Sequence, residues 1–275
     1  MSPSDDATVQ SRQQCGDDIG TPLVLVERRE GVAVVQLNRA DELNALSPEM
    51  MDELLCTLRE LDRDVSVRAV VISGHDRAFV AGADIKSMRT RQLHDVLAAP
   101  ASRFWMHLAE IEVPLVAAVS GAAFGGGCEL ALACDLVVAS ETAVFSQAEI
   151  KVGILPGGGG TQRLARYVGK HVAMEIVLTG RPVKAEEAHR LGFVNRVVPI
   201  ADWRGAAIAL AEEVAAGPPI AIRLAKRAVL AAEEGPIGLG MLAERKLMEL
   251  AFASEDRIEG MTAFVDRRRP EWAGR

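Results

Sequence analysis

Two glutamates, Glu129 and Glu149, stand beside the glycine-richest stretches of the chain. Glu129 follows Gly125-Gly126-Gly127-Cys128 and opens the apolar run Leu130-Ala131-Leu132. Glycines entering a helix leave backbone N–H groups free, and the helix dipole there favours an anion. A carboxylate with apolar neighbours is desolvated, which raises its pKa and suits it to acid–base work. Glu149 lies in Phe145-Ser146-Gln147-Ala148-Glu149-Ile150, and the four glycines Gly157 to Gly160 follow at the entry to another helix. A third small-residue segment runs from Phe79 through Ala81, Gly82, Ala83, Asp84 and Ile85 to Lys86, directly after a strand, with Asp84 placed to cap the next helix. Taken singly, each segment reads as an ordinary turn, helix start or flexible loop. Together they supply two sets of exposed N–H groups and two carboxylates, the parts needed to stabilise an oxyanion and move protons.

Other chemistries find less support. The glycine spacing is not that of a dinucleotide fingerprint, and no P-loop lysine follows. His75, His94, His107, His171 and His189 all lie outside the glycine segments, which leaves carboxylates as the acid–base candidates. Cys15, Cys56, Cys128 and Cys134 form neither a CxxC pair nor a metal-ligand spacing, so no metal site is expected, and Cys56 and Cys134, in apolar context, read as reduced core thiols. A net charge of -7 argues against a nucleic-acid partner. The stretch from Val113 to Cys134 carries one charge and a GxxxG, yet Pro114, the glycine run and an ionised Glu129 are wrong for a membrane helix. No basic, apolar leader opens the chain, and a cytoplasmic location follows as the expectation.

The elements that must position these residues come next. β-Rich runs at 23–26 and 32–37 flank a hairpin turn, and Ser47-Pro48 starts a helix with Met51, Leu54, Leu55, Leu58 and Leu61 on one face. Strands are predicted at 67–72, 114–119 and 135–139, with a short helix over 129–134. Strands alternating with helices imply an α/β core with partly parallel sheets. After Gly160 the chain turns helical (161–168, 171–178, 185–191), apart from one strand at 194–198. Four further helices are predicted at 203–216, 219–232, 237–253 and 255–268. The expected organisation is a polar extension over 1–20, an α/β core over 21–199 and a helical region over 200–275.

Several ordered motifs carry a family resemblance. The segments 79–88 (FVAGADIKSM), 121–134 (GAAFGGGCELALAC) and 145–164 (FSQAEIKVGILPGGGGTQRL), with 37–46 and 259–265, closely resemble the enoyl-CoA hydratases of the crotonase superfamily. The resemblance implies a spiral of ββα units with a helical C-terminal region that drives trimerisation, usually within a hexamer. It implies an acyl-CoA thioester as substrate, with no separate cofactor. It further implies that the N–H groups of Ala83 and Gly126 hold the thioester oxygen, that Glu129 activates water at C3, and that Glu149 delivers a proton to C2. Substrate contacts are assigned to Ala81, Asp84, Ile85, Lys86, Gly125, Gly157 and Arg267, the last reaching a CoA phosphate from a neighbouring subunit. The acyl pocket would draw on Leu93, Val96, Leu97, Phe104 and Trp105. Two departures stand out: Ala148 replaces the usual proline before the second glutamate, loosening that backbone, and Ala40-Asp41 replaces a common proline and a basic residue.

The same scaffold carries isomerases, hydrolases, decarboxylases and dehalogenases. Adding water needs both an activated nucleophile and a proton donor, so two glutamates favour hydration of a trans-2-enoyl-CoA. An enoyl-CoA isomerase, which needs one base, is the nearest alternative. A non-catalytic binder, including an RNA-binding relative, is a third that would have no need of both glutamates.

Overall fold

In a sheet buried on both faces, alternate residues of each strand must serve two different cores, and the strands here do so. The computed structural model describes residues 21–98 and 101–275; the extension expected over 1–20 lies outside them. Strands β1 (Val24–Arg28), β2 (Val32–Leu37) and β3 (Ala69–Ser73) begin the larger sheet, with helix α1 (Pro48–Arg63) between β2 and β3. Ser47 caps α1, its hydroxyl accepting from the Met50 N–H at 3.2 Å, as the Ser-Pro pair predicts. Strand β4 (Ala78–Val80) leads into three short helices, α2 (Ile85–Met88), α3 (Leu93–Ala98) and α4 (Ala101–Leu108). The pattern repeats with β5 (Leu115–Val119), β6 (Ala122–Phe124) and helix α5 (Gly126–Ala133), then with β7 (Leu136–Ser140) and β8 (Val144–Ser146). Helices α6 (Gly160–Val168) and α7 (Lys170–Thr179) follow, then β9 (Val183–Lys184), α8 (Ala185–Leu191) and β10 (Arg196–Val198).

Six strands pair in the order β1-β2-β3-β5-β7-β10, all parallel except the β1–β2 hairpin. A second sheet, β4-β6-β8-β9, is parallel except at β9. Three successive turns, β3–β4, β5–β6 and β7–β8, therefore each give one strand to the large sheet, one to the small sheet, then helix. The strand expected at 194–198 joins the large sheet beside β7. One face of that sheet, with Val35, Val70, Ile72, Ala117 and Val119, packs into the main core. The other face, with Val34, Val71, Val116 and Val138, packs on Trp203, Ala207, Ile208 and Ala211 of α9 (Trp203–Ala215).

The last helices behave differently. Helices α10 (Pro219–Glu234) and α11 (Ile237–Phe252) bury no residue completely, and α12 (Glu255–Asp266) buries two. Polar contacts dock α10: Lys226 Nζ lies 2.7 Å from Asp135 Oδ2 and donates to the Val113 carbonyl, while Arg223 reaches Asp62. Large apolar side chains such as Val229, Ile237, Leu242 and Phe264 face outward. No single helix among the described residues is long and apolar enough to cross a bilayer. Cys128 and Cys134 are buried free thiols, as expected of Cys134. Cys56 is disulfide-bonded, which overturns the expectation of a reduced thiol there and removes cysteine usage as an argument for a reducing compartment.

Helix α5 lies close against β4 because Gly127 has no side chain. A Cβ there would overlap the Val80 carbonyl oxygen and come within 2.7 Å of the Val80 Cβ. Gly127→Ala is expected to cost roughly 1–3 kcal/mol of stability, seen as a lower urea midpoint at an unchanged slope. A wild-type midpoint would show that α5 can move off β4 freely.

Candidate active site

Gly125 determines where Glu129 stands. β6 ends at Phe124 and α5 begins at Gly126, so the chain must turn sharply between them. Gly125 makes that turn at φ 50° and ψ -121°, a region that favours glycine. Its N–H donates to the Ser146 carbonyl at 2.7 Å, tying the start of α5 to the end of β8. The helix begins three residues earlier than its apolar pattern indicates, which places Glu129 in its first turn.

The Glu129 carboxylate is 3% exposed. Its Oε1 accepts the Gly158 N–H at 2.7 Å and the Gly160 N–H at 2.8 Å. These are loop and helix-entry donors, and bonds from N–H to a carboxylate are among the stronger kinds. Burial pushes the Glu129 pKa above the ordinary carboxylate value, while the Gly160 and Gly158 N–H groups and the Arg163 charge pull it back down.

Glu149 has a different environment. It opens a short 3-10 turn, Glu149–Val152, and is half-buried. Its Oε2 is shielded from solvent and has no hydrogen-bond partner among the described residues. Burial, and then the Glu129 charge, push its pKa up to about 7 against the pull of its own N–H. Ala148, in place of a proline, sits at φ -92° and ψ 4°. The turn is held instead by hydrogen bonds: the Lys151 N–H donates to the Ala148 carbonyl at 3.0 Å and the Ile154 N–H to the Glu149 carbonyl at 3.2 Å.

Ala83 and Gly126 lie side by side. A Cβ built on Gly126 would lie 3.9 Å from the Ala83 nitrogen and 3.2 Å from Leu46 Cδ1. The Leu46 N–H donates to the Gly82 carbonyl and the Asp84 N–H to the Leu46 carbonyl, a parallel bridge that turns the Ala83 N–H the other way. Gly126 is the first residue of its helix, so its N–H has no partner within the helix. Neither N–H is hydrogen-bonded among the described residues.

The remaining expected contacts are spread out. The Ala81 N–H is used by the Leu43 carbonyl. Asp84 caps α2, accepting from the Ser87 N–H, and pairs with Arg39 at 3.1 Å, so its carboxylate is already engaged. Ile85 and Lys86 are exposed on α2, and Gly157 is exposed on its loop. Gly125 backs onto Glu149, since a Cβ there would stand 2.8 Å from Oε1. Arg267 is exposed at the end of α12 with φ 54°; its neighbour Arg268 takes the ion pair with Glu259 at 2.7 Å. Phe104 is buried, and Trp105 meets it edge-on with ring centres 4.9 Å apart. A Cβ on Gly158 would strike the Trp105 indole and approach Glu129 Oε2 to 2.7 Å. Leu93, Val96 and Leu97 are exposed. No group of three or more potential metal ligands exists among the described residues.

Sequence reasoning missed three contributors. Asn44, wholly buried at φ 56°, accepts the Arg39 N–H and donates to the Phe79 carbonyl, locking the loop that carries Leu46. Gln147 is wholly buried against Gly160. Arg163 reaches back to the Gly158 carbonyl at 2.8 Å. The run Leu43-Asn44-Ala45 carries no turn glycine to flag the left-handed backbone at Asn44; the asparagine itself was the available signal.

The Glu149 environment has a consequence for stability. Its native pKa of about 7 exceeds the roughly 4.3 of an unfolded glutamate. Between those values the native state binds a proton that the unfolded state does not, so this contribution is full at low pH and lost as pH rises through 7. Glu149→Gln is therefore expected to gain stability relative to wild type between pH 5 and pH 8, measured by urea unfolding at both. An identical difference at the two pH values would show that Glu149 titrates normally.

Comparison with known proteins agrees with this geometry. Residues 27–275 match the family model described as enoyl-CoA hydratase/isomerase. A probable enoyl-CoA hydratase of Mycobacterium bovis is 46% identical over 252 residues, 92% of this chain and 98% of that protein. The mitochondrial enoyl-CoA hydratase of Pongo abelii is 45% identical over 90% of this chain and 86% of its own. A crystal structure of an enoyl-CoA hydratase subunit from Geobacillus kaustophilus superposes with a TM-score of 0.90 at 42% identity, over 92% of this chain and 99% of that one.

Proposed function

The chain belongs to the enoyl-CoA hydratase/isomerase family, and from that premise we propose that it adds water to trans-2-enoyl-CoA thioesters, as in fatty-acid β-oxidation. The observation that carries this reading is the contrast between a buried and a half-buried carboxylate, beside N–H groups unpaired among the described residues. Glu129 is held by two N–H donors that favour its charged form, while Glu149 has an unpartnered oxygen and a pKa near 7 that favours its proton. A pair set apart in this way divides into base and acid.

In the proposed reaction the thioester oxygen accepts the Ala83 and Gly126 N–H groups. Ionised Glu129 takes one proton from water as the oxygen bonds to C3. The C2–C3 π electrons move toward the carbonyl, and the two N–H groups stabilise the enolate charge. Protonated Glu149 gives its proton to C2, and the proton on Glu129 then restores Glu149. The product is a 3-hydroxyacyl-CoA, with no separate cofactor in the balance. Lys86 and Ile85 are suited to the CoA portion by their exposure on α2, and the Trp105 region to the acyl chain. The outward apolar side chains of α10 to α12 support a homotrimer, alone or paired as a hexamer, in which Arg267 serves a neighbour's CoA phosphate.

Crotonyl-CoA incubated with the protein should gain the mass of one water. Glu129→Gln and Glu149→Gln should each lose on the order of a hundredfold or more in rate. No water gain on any 2-enoyl-CoA would sink the hydratase reading, and a shifted double bond without water would point to the isomerase.

A further inference from the structure

Arg163 projects from the first turns of α6 back toward the loop that precedes it. One guanidinium nitrogen donates to the Gly158 carbonyl at 2.8 Å. The same residue, Gly158, donates its N–H to Glu129 Oε1 at 2.7 Å. The two faces of one loop residue thus connect a cation to the carboxylate that must stay ionised. The connection leaves little room for movement: a Cβ on Gly159 would overlap the guanidinium, and Gly159 itself holds φ 101°. Arg163 is half-buried and forms no ion pair among the described residues. A shielded arginine with no carboxylate in contact has its charge uncancelled, and that charge acts on what lies beyond the loop.

From this geometry we infer that Arg163 is a positioning residue for Glu129, fixing the Gly158 N–H on the carboxylate and placing a positive charge behind that N–H. The inference rests on the hydratase reading given above, in which Glu129 is the base. Arg163 touches neither reacting atom and acts through Gly158. The groups facing Glu129 are the Gly158 and Gly160 N–H groups and Arg163 from the α6 side, the Cys128 thiol from α5, and Glu149 from its 3-10 turn. Arg163 is the one cation among them, and it acts on Glu129 in the direction of a lower pKa. Arg163 also acts on the Cys134 thiol and the Tyr167 hydroxyl, the latter facing Glu233 as well, while Asp135 is paired to Lys226.

The test is the pH dependence of crotonyl-CoA hydration by Arg163→Gln and Arg163→Lys. Arg163→Gln should lower kcat about tenfold or more, leave KM within about threefold, and move the acid limb of kcat/KM up by about one pH unit. Arg163→Lys keeps the charge and loses the fork, so its acid limb should return toward wild type while kcat recovers only in part. An acid limb for Arg163→Gln that coincides with wild type would overturn the inference, as would a raised KM at unchanged kcat. If only the lysine variant folds, a wild-type kcat in it would overturn the positioning role. A wild-type protein that hydrates nothing, or an active Glu129→Gln, would instead show that the reading of the site has failed.

Discussion

Burial of the Glu129 carboxylate is the constraint to which most of the local structure answers. A charge taken out of water costs several kcal/mol after relaxation unless donors replace the lost solvent. Here the donors are the N–H groups of Gly158 and Gly160, at 2.7 and 2.8 Å. The Gly160 N–H is available because it opens α6, where the first N–H groups have no partners within the helix, and the Gly158 N–H comes from the loop just before the Gly159 cap. The glycines are required for the same reason. A Cβ at Gly158 would crowd Glu129 Oε2 and Trp105, and one at Gly160 would press on the buried Gln147 amide at 2.6 Å. The composition of the loop is thus set by one carboxylate lying beneath it.

The small sheet explains how three distant segments reach one place. β4, β6 and β8 are parallel neighbours, and each hands its chain to a part of the site. β4 leads to Ala83, β6 to Gly126 and Glu129, and β8 to Gln147 and Glu149. In parallel sheets the carboxyl ends of strands all open on one edge, where ligand sites gather. The large sheet provides the rigid backing, its two faces filled by different cores.

The parts that were readable in the sequence are those written in local chemistry. The Ser47-Pro48 start, the apolar face of α1 and the all-apolar strands announce themselves by spacing. The glycine segments and both glutamates stood out by composition. The small sheet did not, because three-residue strands such as β6 and β8 are too short to show a period. The start of α5 was also hidden, since glycines at Gly126 and Gly127 read as loop until the need to approach Val80 is known. Lys86 and Asp84 lie two residues apart yet differ in kind: one is exposed with no ion pair among the described residues, the other is spent on a cap and an arginine. Asn44 acts through a carbonyl remote in sequence and Arg163 folds back on the loop before its own helix, and neither bond leaves a mark in a single sequence.

The unlike treatment of the two glutamates then follows from how each is attached. Glu129 rides on a helix start locked between Ser146, Val80 and the glycine loop, so its carboxylate can be gripped by fixed donors. Glu149 rides on a single 3-10 turn that has to reach the same space from β8. Its backbone bonds position the turn even without a proline at 148, and no donor among the described residues holds Oε2. An oxygen shielded from water with no donor is best occupied by a proton or by the water that a substrate complex would bring. The same packing that gives Glu129 two fixed donors leaves Glu149 Oε2 without one among the described residues, and the proposed division into base and acid rests on that contrast.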